Sequence, residues 1–393
     1  MPAAPSLAEQ VSSAARRRIA MQQPDASSQP TTALEPATSG EAPTPTRRLL
    51  IHAFLVARGP VDIVRIRQPN EFLETIPGVR TLVERDTADL NLGRPGEEKV
   101  FVWQRPILKH PGGLQTLAAL LARGYLIVVE YDDCFYRRPE HAANRFLTFR
   151  GCHGVQTTTA VLADRIRQLN PNVAIFPNQI AHLPEPRTCA DSEVVTIAFG
   201  ALNREGDWAP ILPALNEVLC RFGRRVRVKV IYDRRFFDAL ATDQKEFEPL
   251  CPYDRYLEIL RSADVGLLPL EPTEMNVAKS DLKFVESAAC GLAVLASPTV
   301  YQDSIADGRT GLIYRSAGEF RQKLTALIES PELRREIAGR AYQHVRDHRQ
   351  LSQHFRRRYD WYLALRDSLP RLNAELAARV PELAGVLRRV AGV

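Results

Sequence analysis

Lys279 to Gly311 reads KSDLKFVESAACGLAVLASPTVYQDSIADGRTG. Ser280 is a favoured N-cap residue, so the sequence predicts a helix that opens at Asp281 and ends near Cys290, with Gly291 behind it. A short apolar strand, Ala293–Ala296, follows. The first-turn amides of this helix point into the loop after the preceding apolar run, Val265–Leu270. A helix N-terminus aimed at a cleft attracts phosphate. Lys279 and Lys283 stand four apart near that turn and can reach the same anion. Glu286, three residues after Lys283, lies on roughly the same face. A carboxylate there can accept hydrogen bonds from two ribose hydroxyls, as acidic residues do in dinucleotide sites. Spacing alone fits a plain amphipathic helix with incidental surface charge at least as well.

Working outward, apolar runs of strand length alternate with helix-spaced segments. Before the quoted stretch, Val194–Phe199, Val226–Tyr232 and Val265–Leu270 read as strands, and Pro210–Phe222 and Tyr253–Ser262 as helices. After it comes a short strand, Leu312–Tyr314, and helices fill residues 317–366. An earlier half repeats the pattern. Leu49–Val56, Val61–Ile66, Lys99–Trp103, Tyr125–Tyr131, Gly154–Thr157 and Val173–Phe176 read as strands, and Leu114–Arg123 and Ala160–Leu169 as helices. Such alternation argues for an α/β fold with parallel βαβ packing, in two halves joined by a seam near residues 178–192. Ligands in such sheets bind beyond the carboxyl ends of the strands.

The quoted stretch resembles the C-terminal half of GT-B glycosyltransferases of the retaining family-4 type. Their signature is Glu-x7-Glu, with the second Glu opening an E-A-x-A-x-G-x-P-V-V-A-S run. Glu286 to Ser297 (ESAACGLAVLAS) matches that run, Asp307 to Leu312 matches a later D-G-x-x-G-L turn, and Pro331-Glu332-Leu333-Arg334 resembles its D-P-E-L-R segment. The resemblance implies a GT-B architecture, two Rossmann-like domains facing across a cleft, and a donor ribose held by Glu286. The first signature Glu falls on Ala278, a departure at the position that contacts the donor sugar in the family. Asn276 to Glu286 instead resembles a branch reading N-x-x-K-S-x-x-K-x-x-E, in which Lys279 supplies positive charge to the diphosphate, and Glu274 is the nearest replacement carboxylate. Phe199 to Trp208 is similar to the family's G-R-x-x-x-x-K-G loop, so Arg204 is expected on the diphosphate; the usual Lys is missing. Ile175 to Asn178 resembles the V-I-P-N-G segment that closes the first half, with Gln179 in place of Gly. The likeness spans residues 47 to about 365 and is strongest over 194–345.

The first half is then expected to bind the acceptor. Glu130 to Asp133 resembles an E-x-D-D phrase of the same branch, and Asp132 and Asp133 are the candidate catalytic pair. Two carboxylates at a strand's carboxyl end can orient a hydroxyl or stabilise positive charge at the anomeric carbon. A capped loop is the equally good structural reading. Gln104 and Arg105, after Lys99–Trp103, are expected on the same rim, touching acceptor or phosphate. No metal is expected, because GT-B enzymes usually meet diphosphate charge with helix dipoles and basic residues. His344 and His348 lack an HExxH setting, and Trp103, Trp208 and Trp361 read as packing.

Composition bounds the rest. The chain has 393 residues, 45% hydrophobic and 25% charged, enough for two soluble domains. Apolar runs are too short for a membrane helix or a signal peptide. Six scattered cysteines without a CxxC pair read as free thiols, which favours a cytoplasmic setting. Residues 1–46 hold seven of the 28 prolines and are expected to be a disordered arm, with a short helix over Leu7–Met21. The expected domains are 47–185 for acceptor, 186–365 for nucleotide-sugar donor, and a basic helical tail at 366–393. Residues 315–393 carry 16 basic and nine acidic side chains, so the whole net charge of +6 is concentrated there. Helix packing, or peripheral contact with an anionic inner membrane face, would account for that tail. The expected partners are a nucleotide-sugar donor and a glycan, lipid-linked or protein acceptor, with no nucleic acid. Two other functions stay open: a catalytically silent nucleotide-sugar-binding or scaffold module, and a membrane or nucleic-acid adaptor. A sugar-nucleotide epimerase of the same fold is a weaker rival.

Overall fold

The computed structural model describes residues 47–186 and 193–390. The expected N-terminal arm, its short helix and Cys189 lie outside them, as does the end of the seam. Twelve strands among the described residues form two parallel sheets. The first contains β1 (Leu49–Leu55), β2 (Val79–Arg85), β3 (Glu98–Gln104), β4 (Tyr125–Glu130), β5 (Gly154–Thr157) and β6 (Val173–Ile175), in the order β2-β1-β3-β4-β5-β6. The second contains β7 (Val195–Gly200), β8 (Val226–Ile231), β9 (Lys245–Glu248), β10 (Val265–Leu268), β11 (Ala293–Ala296) and β12 (Leu312–Ile313), in the order β12-β11-β10-β7-β8-β9. Buried on both faces, β4, β10 and β11 have sequences apolar almost throughout, which made them legible.

In each sheet the strand order reverses once, between β1 and β3 in the first and between β7 and β10 in the second. Crevices open at the carboxyl ends of strands at such reversals. Gln104 ends β3 in the first sheet and Arg105 follows it. In the second, Gly200 ends β7 with Ala201 to Arg204 after it, and Leu268 ends β10 with Pro269 and Leu270 after it.

The helices that frame these crevices are α1 (Gly112–Ala122), α2 (Ala160–Arg167), α3 (Glu205–Trp208), α4 (Leu212–Phe222), α5 (Tyr253–Arg261) and α6 (Leu282–Ala289). Then come α7 (Ala317–Glu329), α8 (Pro331–His348), α9 (Arg356–Asp367), α10 (Leu369–Arg379) and α11 (Glu382–Val390). One expected strand is wrong. Val61–Ile66 lies in a helical run of Pro60–Asp62, a π-helical Ile63–Arg67 and Gln68–Leu73. Pro60 stands at its first position, where proline's fixed φ suits a helix start. β2 and β9 were not expected. Both are edge strands of the sheets, and neither carries a fully buried residue.

The last three helices return to the first sheet. Tyr362, Leu365 and Leu372 pack with Leu49, Val100 and Leu126, and Leu376, Val380, Leu383 and Val386 pack with Leu114 and Leu117 of α1. The tail's arginines also find partners inside the chain. Arg366 bonds Glu98 and the Gly124 carbonyl, Arg371 pairs with Glu375, and Arg379 donates to the Cys152 carbonyl. Helix packing therefore accounts for the apolar side of the tail. No helix of the described residues is long and apolar enough to cross a membrane.

The backbone thus passes between the halves twice, after β6 and after α8. The two passages meet in a short parallel bridge, where Ile180 N–H donates to the Arg349 carbonyl and Leu351 N–H to the Ile180 carbonyl, both at 2.9 Å.

Candidate functional site

The crevice of the second sheet is built from the ends of β7 and β10 and the start of α6. Gly200 ends β7 where a Cβ would stand 2.7 Å from the Tyr256 ring, so only glycine lets α5 approach this closely. Gly200, Arg204, Tyr256, Lys283, Ser287 and Tyr301 line a cavity of about 30 Å³. That is room for little more than water. Arg204 also borders an open groove of about 420 Å³ with Asn203, Tyr232, Asp233 and Arg235.

Arg204 is held in place from three sides. Its Nη1 donates to Asp207 at 3.1 Å and to the Asn276 side-chain carbonyl at 3.2 Å, and its backbone N–H donates to Asp233. Asp207 in turn accepts from Asn276 Nδ2 at 2.7 Å and from Glu271 N–H at 3.0 Å, which fixes the loop leading to Lys279. Asp207, Asp233 and Asn276 were not singled out from sequence. The acid three residues after Arg204 was the available signal.

Lys279 has no carboxylate within ion-pair distance among the described residues. Burial lowers its pKa below the ordinary lysine value and Arg204 and Arg105 add to that, while Asp133 and Asp207 oppose it. These four neighbours come from both halves, so charges of both act on the Lys279 ammonium. Lys283 lies 4.1 Å over the Tyr256 ring, donates to its hydroxyl at 2.9 Å and reaches Glu286 at 3.3 Å. Glu286 itself is 1% exposed, beneath Lys283 and beside Tyr253 and Tyr256. Burial first, and then the Glu286 charge, raise the pKa of both tyrosines.

Ser280 is not the N-cap, and the helix opens one residue later than expected. α6 begins at Leu282, its cap position is Asp281, and no side chain caps it. The Ser280 hydroxyl accepts instead from Asn178 Nδ2 at 2.8 Å. Ala278 is buried, its methyl packed in the apolar cluster of the first half with Leu162 and Ile166, and its carbonyl accepts from Thr159 Oγ1. Glu274 does not take over the missing carboxylate's place. It is 63% exposed, paired with Arg165 at 2.9 Å, and its carbonyl accepts from the Tyr136 hydroxyl. That strap joins the halves at the cleft's outer edge.

Beyond the first sheet, Asp132 and Asp133 share one guanidinium. Arg105 Nε donates to Asp132 at 2.6 Å and Nη1 to Asp133 at 3.3 Å, with Arg138 3.8 Å from Asp133. Burial disfavours the Arg105 charge, but the two aspartates outweigh it and raise its pKa. Arg105 adopts φ 47°, a left-handed conformation uncommon for a residue other than glycine. Gln104 is not a rim residue. It is fully buried, and its side-chain oxygen accepts from the Val56 and Ala57 amides, so it braces the loop after β1.

Behind this rim lies a buried network that sequence did not reveal. Arg65 forms a two-pronged pair with Glu130 at 2.8 and 3.2 Å, and its Nη1 donates to the Phe176 carbonyl and the Asn178 side chain. Among the described residues no group of three or more His, Cys, Asp or Glu side chains is placed to hold a metal ion.

Residues 216–358 match a family described as glycosyl transferase-like. No curated protein sequence matches the chain. Among solved structures, sucrose-phosphate synthase of Thermosynechococcus elongatus superposes with a TM-score of 0.57 at 14% identity, over 81% of this chain and 99% of that one. Anabaena HepE, solved with UDP-glucose, gives 0.57 at 11% identity, over 80% and 99%. WaaG, a glycosyltransferase involved in lipopolysaccharide biosynthesis, gives 0.53 at 14%, over 79% and 98%. TarM is longer, and the chain spans 55% of it. At these identities the likeness is one of fold. The chain has the GT-B fold that these solved glycosyltransferases share, and its residues 216–358 are similar to the glycosyl transferase-like family.

Proposed function

We propose that the chain transfers a sugar, most simply a hexose, from a nucleoside-diphosphate donor to a hydroxyl acceptor with retention of anomeric configuration. The observation that carries this reading is Lys279, a half-buried cation with no ion-pair partner among the described residues, on which the charges of Arg204 and Asp207 of one half and Arg105 and Asp133 of the other act. A partly desolvated cation is stabilised when an anion completes it. In this reading Lys279, Arg204, Lys283 and the first-turn amides of α6 hold the diphosphate and stabilise it as a leaving group. They supply the charge without calling on a metal. Glu286 takes the ribose once Lys283 turns from it to the phosphates. Asp132 and Asp133 face the reacting centre, with Arg105 exchanging one of them for an acceptor or phosphate group. The acceptor class in this proposal is a glycan, a lipid-linked glycan precursor or a protein.

The 30 Å³ cavity is too small for a nucleotide sugar, so the reading also requires the strap of Glu274, Arg165 and Tyr136 to open for donor entry. Calorimetric titration with UDP, GDP, ADP, dTDP and CMP, repeated on Glu286→Ala, tests the donor site. Selective binding of one nucleotide, weakened in the variant, is expected; no binding to any of them overturns the reading.

A catalytically silent nucleotide-sugar-binding module is the second reading. The Arg105 clamp on both aspartates and the packed methyl of Ala278 favour it. Nucleotide binding without release of nucleoside diphosphate from any donor, across a panel of acceptors, would select it.

A further inference from the structure

Lys279 has no carboxylate within ion-pair distance among the described residues, and its ammonium ends a flexible four-carbon stem. With no ion pair at the charged end, its place is set by the backbone that carries it. That backbone is extended, with φ −73° and ψ 157°, between the turn Asn276–Ala278 and α6. Both sequence neighbours of Lys279 are fastened from the side of the first sheet. The Ala278 carbonyl accepts at 3.2 Å from Oγ1 of Thr159, which stands at the start of α2. The Ser280 hydroxyl accepts at 2.8 Å from Nδ2 of Asn178, just past the end of β6. The second half holds the segment one step earlier, where Lys279 N–H donates to the Asn276 carbonyl at 3.0 Å.

Asn178 is buried, and both ends of its amide are committed. Its Oδ1 accepts from Arg65 Nη1 at 2.8 Å, and Arg65 Nε donates to Glu130 at 2.8 Å. A guanidinium can only donate, so the amide oxygen faces Arg65 and the amide nitrogen is left for Ser280. The line from Glu130 through Arg65 and Asn178 to Ser280 therefore has one orientation, and its first three members are all buried. Hydrogen bonds in such a setting are stronger than in water, and they hold their partners in one arrangement. Glu130 ends β4, and Asp132 stands two residues beyond it. The residue beside Lys279 is thus tied to the strand end that presents Asp132.

Resting on the donor-site reading above, we infer that Asn178 is a positioning residue for donor binding: through Ser280 it fixes where Lys279 stands relative to the first sheet. Asn178 touches no reacting atom and acts only through the backbone on which Lys279 is carried. Thr159 steadies the other flank, so loss of the Asn178 bond displaces Lys279 without freeing the whole segment.

The test is a double-mutant cycle. Asn178→Ala, Ser280→Ala and Lys279→Ala, and each of the first two combined with Lys279→Ala, are titrated with UDP, GDP and ADP beside the wild type, and their melting temperatures are measured. Asn178→Ala and Ser280→Ala remove the same bond, and each should weaken binding of the preferred nucleotide about fivefold to tenfold. With Lys279 already replaced, each should change affinity by no more than about twofold, because the group they position is gone. The stability cost of the broken bond should persist in both backgrounds, so melting temperature reads the structural part and the cycle reads the positioning part. An equal loss of affinity with and without Lys279 overturns the inference. So does a loss in Ser280→Ala that Asn178→Ala does not share, since Ser280 would then meet the ligand itself. Asn178→Ala also takes one acceptor from Arg65. If that variant does not fold, Ser280→Ala, which leaves Arg65 untouched, decides through its own cycle. Ser280→Thr, which keeps the hydroxyl, should then bind as the wild type does, and wild-type affinity in Ser280→Ala overturns the inference. No nucleotide binding by the wild type overturns the donor-site reading, and undiminished binding by Lys279→Ala overturns the place of Lys279 in it; either removes this inference as well.

Discussion

The two crevices face one another with the same architecture and opposite electrostatic states. On the first sheet, Arg105 contacts both Asp132 and Asp133, and Arg138 stands 3.8 Å from Asp133, so each carboxylate has a cation beside it. On the second, Arg204 is matched by Asp207 and Lys283 by Glu286, but Lys279 is left unmatched among the described residues. A rim whose charges already satisfy one another must give up an ion pair before it can bind. A rim with a spare cation need only admit its anion. In the proposed reading the second-sheet rim, assigned to the donor, is therefore the one with a charge to spare, and the first-sheet rim, assigned to the acceptor, is the one that must first release an ion pair.

The harshest way to break this comparison is to remove what holds the acceptor rim from behind. Arg65→Gln leaves Glu130 buried and unpaired, and should cost about 3–5 kcal/mol in chemical denaturation. Next comes Ala278→Glu, which restores the family carboxylate at a position now packed among Leu162 and Ile166. Overpacking plus a buried charge should cost about 3 kcal/mol and lower the melting temperature without raising turnover. Lys279→Ala sharpens the contrast. It should weaken nucleoside-diphosphate binding by about 10- to 100-fold, the worth of a charge-assisted contact, while stability holds or rises. Arg105→Gln should spare that affinity.

The same lysine sets a pH dependence. Its folded pKa lies below the ordinary value near 10.5, so between the two the unfolded chain binds more protons and stability rises with pH. Nucleotide affinity should fall over that same window. Lys279→Ala should flatten both trends, measured by denaturant midpoints and titrations at stepped pH. The smallest effect belongs to Glu274→Gln. Its exposed pair with Arg165 should contribute only about 0.2–1 kcal/mol, with donor association as the sensitive readout.

Much of the frame was legible because parallel strands buried on both faces leave apolar runs that few other elements produce. Tyr125–Glu130 and Ala293–Ala296 are such runs. β2 and β9 escaped because edge strands bury little, so VRTLVER and KEFE carry no comparable signal. Val61–Ile66 (VDIVRI) reads as a short apolar run, yet Arg65 sits buried in it against Glu130, and no local pattern announces a partner 65 positions away. The site divides in the same way. Lys279, Lys283, Arg204 and Arg105 were singled out from the sequence because cations at loops and helix starts are visible in a line of text, and the structure places them along the two crevices. Gln104 was misjudged because a strand-end residue can brace a neighbouring loop as readily as face solvent. Ser280 and Asp281 were misjudged because a cap depends on whether another residue has already claimed the side chain, and Asn178 and Arg349 come from distant segments.

The return of α9, α10 and α11 to the first sheet has a consequence for how the protein is made. Leu49, Val100 and Leu126 emerge from the ribosome early, but Tyr362, Leu365 and Leu372, which cover them, are translated only after the whole second sheet. At common synthesis rates that interval is on the order of ten to forty seconds. For that time the nascent first half carries an uncovered apolar face, and the second half can mature ahead of it. The order of assembly is the reverse of the order of synthesis, and a chaperone that shields the first sheet during elongation would matter more to yield than one acting after release.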